Sequence, residues 1–114
     1  MLKNKKVFIL GMARSGFEAA KILARDNTVL VTDMKEQQKE KVDELESLGV
    51  NVVITDNPLD LLDSSYDFLV KNPGIKLDHP CVKKAESLNI PVINEVEVAY
   101  HFLSKDVTII GITG

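Results

Sequence analysis

Six short apolar runs alternate with helical patterns along this chain, and that alternation restricts the fold more than any other feature. The runs are Val7 to Leu10, Val29 to Val31, Val50 to Ile54, Phe68 to Val70, Pro91 to Ile93 and Val107 to Ile112. They are rich in β-branched residues, the composition of strands buried on both faces of a sheet. Each is expected as a central parallel strand. Between the first two, Gly16, Ala19, Ala20 and Leu23 fall at i, i+3, i+4 and i+7, a helical face small enough to lie close against a sheet. Gln37 to Leu48 carries Val42, Leu45 and Leu48 among many charges, followed by Gly49 where a helix usually ends. Asn57-Pro58 opens a short Leu-rich helical turn with Asn as N-cap. His79-Pro80 opens a helix with Cys81, Ala85 and Leu88 on one side, and Val96, Ala99 and Leu103 mark one more. Strand and helix alternating at this spacing give right-handed βαβ crossovers. The expected fold is a single-domain α/β, Rossmann-like, doubly wound, mostly parallel sheet.

Composition narrows the classes of function. With 114 residues the chain suits one domain, and Leu, Ile, Val and Phe supply 39 of them, well above the level of a disordered chain. One cysteine, Cys81, cannot form an internal disulfide, and no Cys/His cluster has metal-ligand spacing, so no metal site is expected and a reducing compartment is. Fourteen basic residues are scattered among 17 acidic ones, for a net charge of −3, which argues against nucleic acid as a partner. The apolar run after the amino-terminal lysines stops after four residues, too short for an export signal, and no run reaches the roughly 20 residues of a membrane span.

Ligands of doubly wound sheets sit beyond the carboxyl ends of the strands, where strand order reverses. Directly after the first run comes Gly11-Met12-Ala13-Arg14-Ser15-Gly16, the context of a phosphate-binding turn. Gly11 permits the tight turn and Gly16 close helix packing, while Ala13 stands where the dinucleotide fingerprint has its second glycine. Arg14 and Ser15 lie where the positive end of a helix faces an anion, and Ser15 suits helix N-capping as well. Asp33 follows the second run, 22 residues beyond Gly11, near the spacing at which an acid meets a ribose hydroxyl. As a strand-end acid it is expected to contribute little to packing. Met34 and Lys35 come next, able to cover a base or reach a phosphate. After the fourth run, Pro73-Gly74 suits the centre of a type II turn in Lys71-Asn72-Pro73-Gly74-Ile75, opening toward the same edge. His79 and His101 have no Ser, Cys or carboxylate at motif spacing and are not expected to catalyse or bind metal.

Four segments together resemble the amino-terminal domain of the Mur ligase family. They are Val7 to Gly16, Val31-Thr32-Asp33, Asn72-Pro73-Gly74-Ile75 with His79-Pro80 after it, and Ile109-Ile110-Gly111-Ile112-Thr113-Gly114. In that family the last strand runs into a P-loop, so Gly114 resembles its first, ATP-binding residue. The resemblance is nearest to the branch that adds D-glutamate to UDP-N-acetylmuramoyl-L-alanine in the cytoplasm. It implies an ATP-dependent amide-forming ligase of peptidoglycan precursor synthesis, acting through an acyl phosphate, with ATP and Mg2+ used by the full-length enzyme. Residues 1–106 would be its UDP-substrate-binding domain and 107–114 the strand leading to a central ATPase domain. By the same resemblance Gly11, Arg14, Ser15 and Gly16 lie at the diphosphate, Asp33, Met34 and Lys35 around uracil and ribose, and Asn72 and Gly74 on the nucleotide's other side. Arg14 stands where many relatives have an apolar residue. No residue here is implied to be catalytic, the chain alone is expected to be inactive and to hold no cofactor, and a monomer is expected. The glycine turn with Asp33 also fits the NAD-binding half of an oxidoreductase, against which Ala13 and the ending Gly-Ile-Thr-Gly stand. The lack of a catalytic pair fits a non-enzymatic nucleotide-sensing module.

Overall fold

The protein is described by a computed structural model covering residues 4–12, 14–72, 74–76, 78–95 and 98. Five strands form one parallel sheet: β1 (Lys6–Leu10), β2 (Thr28–Asp33), β3 (Asn51–Ile54), β4 (Phe68–Lys71) and β5 (Val92–Asn94), in the spatial order β3-β2-β1-β4-β5. The chain builds outward from β1 through β2 to β3, then returns to the other side of β1 for β4 and β5. The order therefore reverses between β1 and β4, where Leu10 lies level with Thr32 on one side and Lys71 on the other.

The helices are α1 (Arg14–Leu23), α2 (Lys39–Ser47) and α3 (Pro80–Ser87), with a 3-10 turn at Pro58–Leu61. Alternating side chains of the central strands feed two cores. On one face Val7, Ile9, Val29, Val31 and Val70 meet Ala19, Ala20 and Leu23 of α1 and Leu45 of α2. On the other Phe8, Leu10, Leu30 and Leu69 meet Leu62, Tyr66 and Cys81, Val82 and Ala85 of α3. Helices cover both faces, which is the doubly wound architecture.

The expectation that every run is a central strand is corrected at β3 and β5, which among the described residues lie at the two ends of the sheet and pair with β2 and with β4 alone. The residues of β3 are half-buried or exposed, Ile54 by 40%. An apolar run in sequence does not distinguish an edge from a centre, because the covering α2 buries the inward face either way. Pro91 lies outside β5. Leu48, expected on the inner face of α2, is 47% exposed, because the helix ends at Ser47 and the chain turns at Gly49, whose φ of 90° suits glycine. Asn57 precedes the 3-10 turn, but its side chain donates to Asp60 Oδ2 at 2.9 Å and makes no backbone cap bond. The sixth run, Val107 to Ile112, and all of the last helical pattern, Val96, Ala99 and Leu103, lie outside the described residues, as do His101 and Gly114. Among the described residues no helix is long and apolar enough to cross a membrane.

The α3-side core contains two groups whose protonation is linked to folding. Burial pushes the Cys81 thiol above its ordinary 9.0, with a smaller opposing pull from Lys84, and burial followed by Asp63 pushes the Tyr66 hydroxyl above 10.0. Above pH 9 the unfolded chain gives up these protons while the folded chain keeps them. Stability is thus full below pH 9 and lost as pH rises past it. Melting temperatures measured from pH 7 to 11 are expected to fall from about pH 9 upward. A flat profile would contradict the assignment.

Candidate functional site

The glycine turn begins where β1 ends. The Gly11 amide still donates to Thr32 O of β2 at 2.8 Å, and the chain then swings into α1 with Gly11 at φ 101°, a conformation that strains any residue with a Cβ. Gly16 is required by closeness. A Cβ there would overlap the Gly11 carbonyl oxygen and come within 2.8 Å of Glu95 Oε2. The first turn of α1 is thereby drawn down onto the end of β1, with its amino terminus at the crevice. Arg14 and Ser15 are the first two residues of α1. Ala13 lies outside the described residues.

Asp33, at the carboxyl end of β2, clamps this turn. Its Oδ2 accepts from the Met12 amide at 2.8 Å and its Oδ1 from the Lys35 amide at 3.0 Å. Met12 is buried, so the first of these bonds satisfies an amide that water cannot reach. The expectation that Asp33 contributes little to packing is corrected: it is half-buried and ties two strand ends together. Each carboxylate oxygen retains a second lone pair for another donor.

Across the switch point, the segment after β4 folds back on itself. The Ile75 amide donates to Asn72 O at 2.9 Å, closing a turn, and Asn72 Oδ1 accepts from the Gly74 amide at 2.8 Å, but the expected type II form is corrected, because Gly74 does not take the positive φ that form requires. Pro73 lies outside the described residues. Lys71 Nζ donates to Ile75 O at 3.1 Å and holds the turn from below.

Between these elements lies a cavity of about 270 Å³, lined by Gly11, Asp33, Met34 and Lys35 together with Thr32, Thr55, Ile75 and His79. A larger open groove of about 620 Å³ lies at the opposite end of the sheet, among Lys5, Lys6, Arg25 and Asp67. The smaller cavity is the candidate site, because doubly wound sheets take ligands at the carboxyl ends of the strands. Its walls are mainly apolar with a few polar groups, the character of a pocket for a planar ring. Met34, 66% exposed, stands at its mouth.

Of the residues expected from sequence, Gly11, Asp33, Met34 and Lys35 line one cavity, and Asn72 and Gly74 form the turn leading to Ile75 on its wall. Leu10, Thr32, Thr55, Pro58, Ile75 and His79 also line the cavity and were not singled out for the site. Thr55 directly follows the third run, and extending the strand-end rule to every run would have found it. His79 caps α3, its Nδ1 accepting from the Cys81 amide at 3.1 Å. Among the described residues no group of three or more His, Cys, Asp or Glu is placed to hold a metal ion.

Fold and site together define a doubly wound α/β domain with a glycine turn at its switch point. Residues 5–94 match the Mur ligase MurD-like, N-terminal domain family, and the chain belongs to that family. It is 50% identical to the UDP-N-acetylmuramoylalanine–D-glutamate ligase of Enterococcus hirae, over 98% of this chain and 24% of that protein. It is 48% identical to the enzyme of the same name from Lactococcus lactis subsp. lactis (strain IL1403), over 98% of this chain and 25% of the relative. The chain thus spans about a quarter of the length of these relatives. Among solved structures, UDP-N-acetylmuramate-alanine ligase from Thermotoga maritima superposes with a TM-score of 0.72 at 20% identity, over 91% of this chain and 24% of that one. A scyllo-inositol dehydrogenase from Lactobacillus casei reaches 0.57 at 16% identity, over 94% of this chain and 35% of that one. At these identities both likenesses concern the fold alone. The oxidoreductase reading is the weaker one.

Proposed function

We infer that this chain is the domain that anchors the uridine diphosphate end of UDP-N-acetylmuramoyl-L-alanine in a cytoplasmic, ATP-dependent ligase that adds D-glutamate to it. The observation that carries this reading is the cavity at the switch point, lined by Gly11, Asp33, Met34 and Lys35 and by Ile75, which directly follows the Asn72–Gly74 turn. The names of the relatives supply the substrate. In this reading the uracil and ribose enter the cavity beside Asp33, Met34 and Lys35, and Asn72 and Gly74 border the nucleotide opposite. The diphosphate meets the amino terminus of α1, where backbone amides and the helix dipole favour an anion by about 0.3–1 kcal/mol per charge. Arg14 and Ser15 stand at that end, Gly11 and Gly16 shape it.

Binding this remote handle holds the reacting carboxylate in line for phosphorylation, the positioning role of non-reacting substrate parts. In the whole enzyme ATP would supply the activating phosphoryl group and Mg2+ would offset the charge on its phosphates. Of the residues present only Gly114 is assigned to them, at the start of the P-loop. Residues 1–106 act as the anchoring domain and 107–114 lead to the ATPase domain. A monomer suffices for this role.

Calorimetric titration of the chain with UDP, UDP-N-acetylmuramoyl-L-alanine and NAD tests the reading. Both uridine compounds are expected to bind weakly and NAD not at all, with no phosphate released from ATP. Binding of NAD in place of the uridine compounds, or phosphate release by the pure chain, would overturn it.

A further inference from the structure

Glu95 is a carboxylate buried to 3% exposure directly after β5, the strand next to β4. Burying a carboxylate is costly unless hydrogen bonds compensate, so its presence here calls for a reason. Two contacts supply one. Its Oε1 accepts from Asn72 Nδ2 at 3.2 Å, and its Oε2 lies where it would meet a Cβ on Gly16 at 2.8 Å. One side chain therefore bonds the turn after β4 and sits where any side chain at Gly16 in the first turn of α1 would have to go.

The bond to Asn72 also settles which way that amide faces. Asn72 Oδ1 accepts from the Gly74 amide while Nδ2 donates to Glu95. An amide has one accepting and one donating end. With the carboxylate at one end and a backbone N–H at the other, the flipped orientation would set oxygen against oxygen and nitrogen against nitrogen. We propose that Glu95 is a positioning residue of the nucleotide site: it fixes the Asn72 side-chain amide in one orientation and, through Gly16, sets how closely the start of α1 approaches the Asn72–Gly74 turn. The ligand would touch Asn72 and the turn, and Glu95 would act through them. A site group is held accurately only when the shell behind it is itself fixed.

The inference rests on the crevice being the uridine diphosphate site only for its effect on affinity. The orientation of Asn72 is a property of the free chain, so the experiment has two readouts on E95Q, E95L, N72D and the double variant N72D/E95Q. The first, without ligand, is hydrogen exchange of the Asn72 side-chain amide and the shift of the Gly74 amide by NMR. E95Q keeps an accepting oxygen at 95 and is expected to leave both unchanged, while E95L is expected to speed Asn72 exchange at least tenfold and to move Gly74. The second readout is affinity for UDP beside the melting temperature. N72D sets two carboxylates face to face and is expected to bind UDP about tenfold more weakly. Adding E95Q to it restores a donor facing an acceptor, and affinity is expected to return to within about threefold of the original chain.

Unchanged Asn72 exchange in E95L would overturn the proposal, as would a double variant binding no better than N72D. A fall in melting temperature for N72D with UDP affinity of the folded chain intact would also overturn it, leaving Glu95 a purely structural part. If E95L does not fold, N72D and its double variant decide. If the original chain binds no UDP, the anchoring reading fails by itself, and exchange at Asn72 still decides the role of Glu95.

Discussion

Gly16→Ala is expected to lower the melting temperature by about 10 °C, corresponding to a loss of about 2–3 kcal/mol. Alanine is the better helix former, and elsewhere in a helix the exchange would stabilise by up to about 1 kcal/mol. Here the added methyl would overlap the Gly11 carbonyl oxygen and come within 2.8 Å of Glu95 Oε2. The first obstacle is backbone at the end of β1 and the second is a buried carboxylate, so neither yields as the tip of a flexible side chain would. Relief requires α1 to lift from the sheet, which loosens Ala19, Ala20 and Leu23 from the core as well. The same movement opens the crevice, so UDP binding is expected to fall with stability. A melting temperature within 2 °C of the original chain would show that the turn is not held as closely as described.

Asp33→Ala is expected to cost about 2 kcal/mol and at least tenfold in UDP affinity. The stability loss comes from one bond. The Met12 amide loses its 2.8 Å acceptor at a position water does not reach, whereas the Lys35 residue is exposed and its amide can turn to solvent. Asp33→Asn keeps an oxygen for Met12 and is expected to cost less than half as much, while still lowering affinity through the lost second acceptor. Denaturant unfolding of the three chains, followed by calorimetry with UDP, separates these effects. If Asp33→Ala unfolds at the same denaturant concentration as the original, the carboxylate does not clamp the turn. If its affinity is also unchanged, Asp33 leaves the site.

The parts of the fold that were legible in sequence are those set by period and by special residues. The five apolar runs among the described residues each mark a parallel strand, and Gly16, Ala19, Ala20 and Leu23 form the buried face that their spacing implied. Gly11 makes the tight turn expected of it, at a positive φ. What sequence could not convey is lateral order: the edge position of β3 depends on which strand returns beside β1, a matter of crossover direction rather than composition. The site divides similarly. Gly11, Asp33 and Asn72 were found because they follow strands and have distinctive chemistry. Glu95 was missed because it lies 79 residues from Gly16 and is joined to it only by the sheet order, which places β5 and the glycine turn on either side of β4. An acid after a strand suits a cap or turn as well as a ribose contact, and sequence alone does not show that Asp33 reaches back to the Met12 amide of the neighbouring turn.

The central claim is that the crevice at the carboxyl ends of β1, β2 and β4 receives a uridine diphosphate. Its most direct test is an NMR titration of the isotope-labelled chain with UDP, UDP-N-acetylmuramoyl-L-alanine and NAD in parallel. With the two uridine compounds, shifts are expected at Gly11 to Gly16, Asp33 to Lys35 and Asn72 to Gly74, and with NAD none. Shifts from the uridine compounds clustered instead at Lys5, Lys6 and Arg25, at the opposite end of the sheet, or a response to NAD alone, would contradict it.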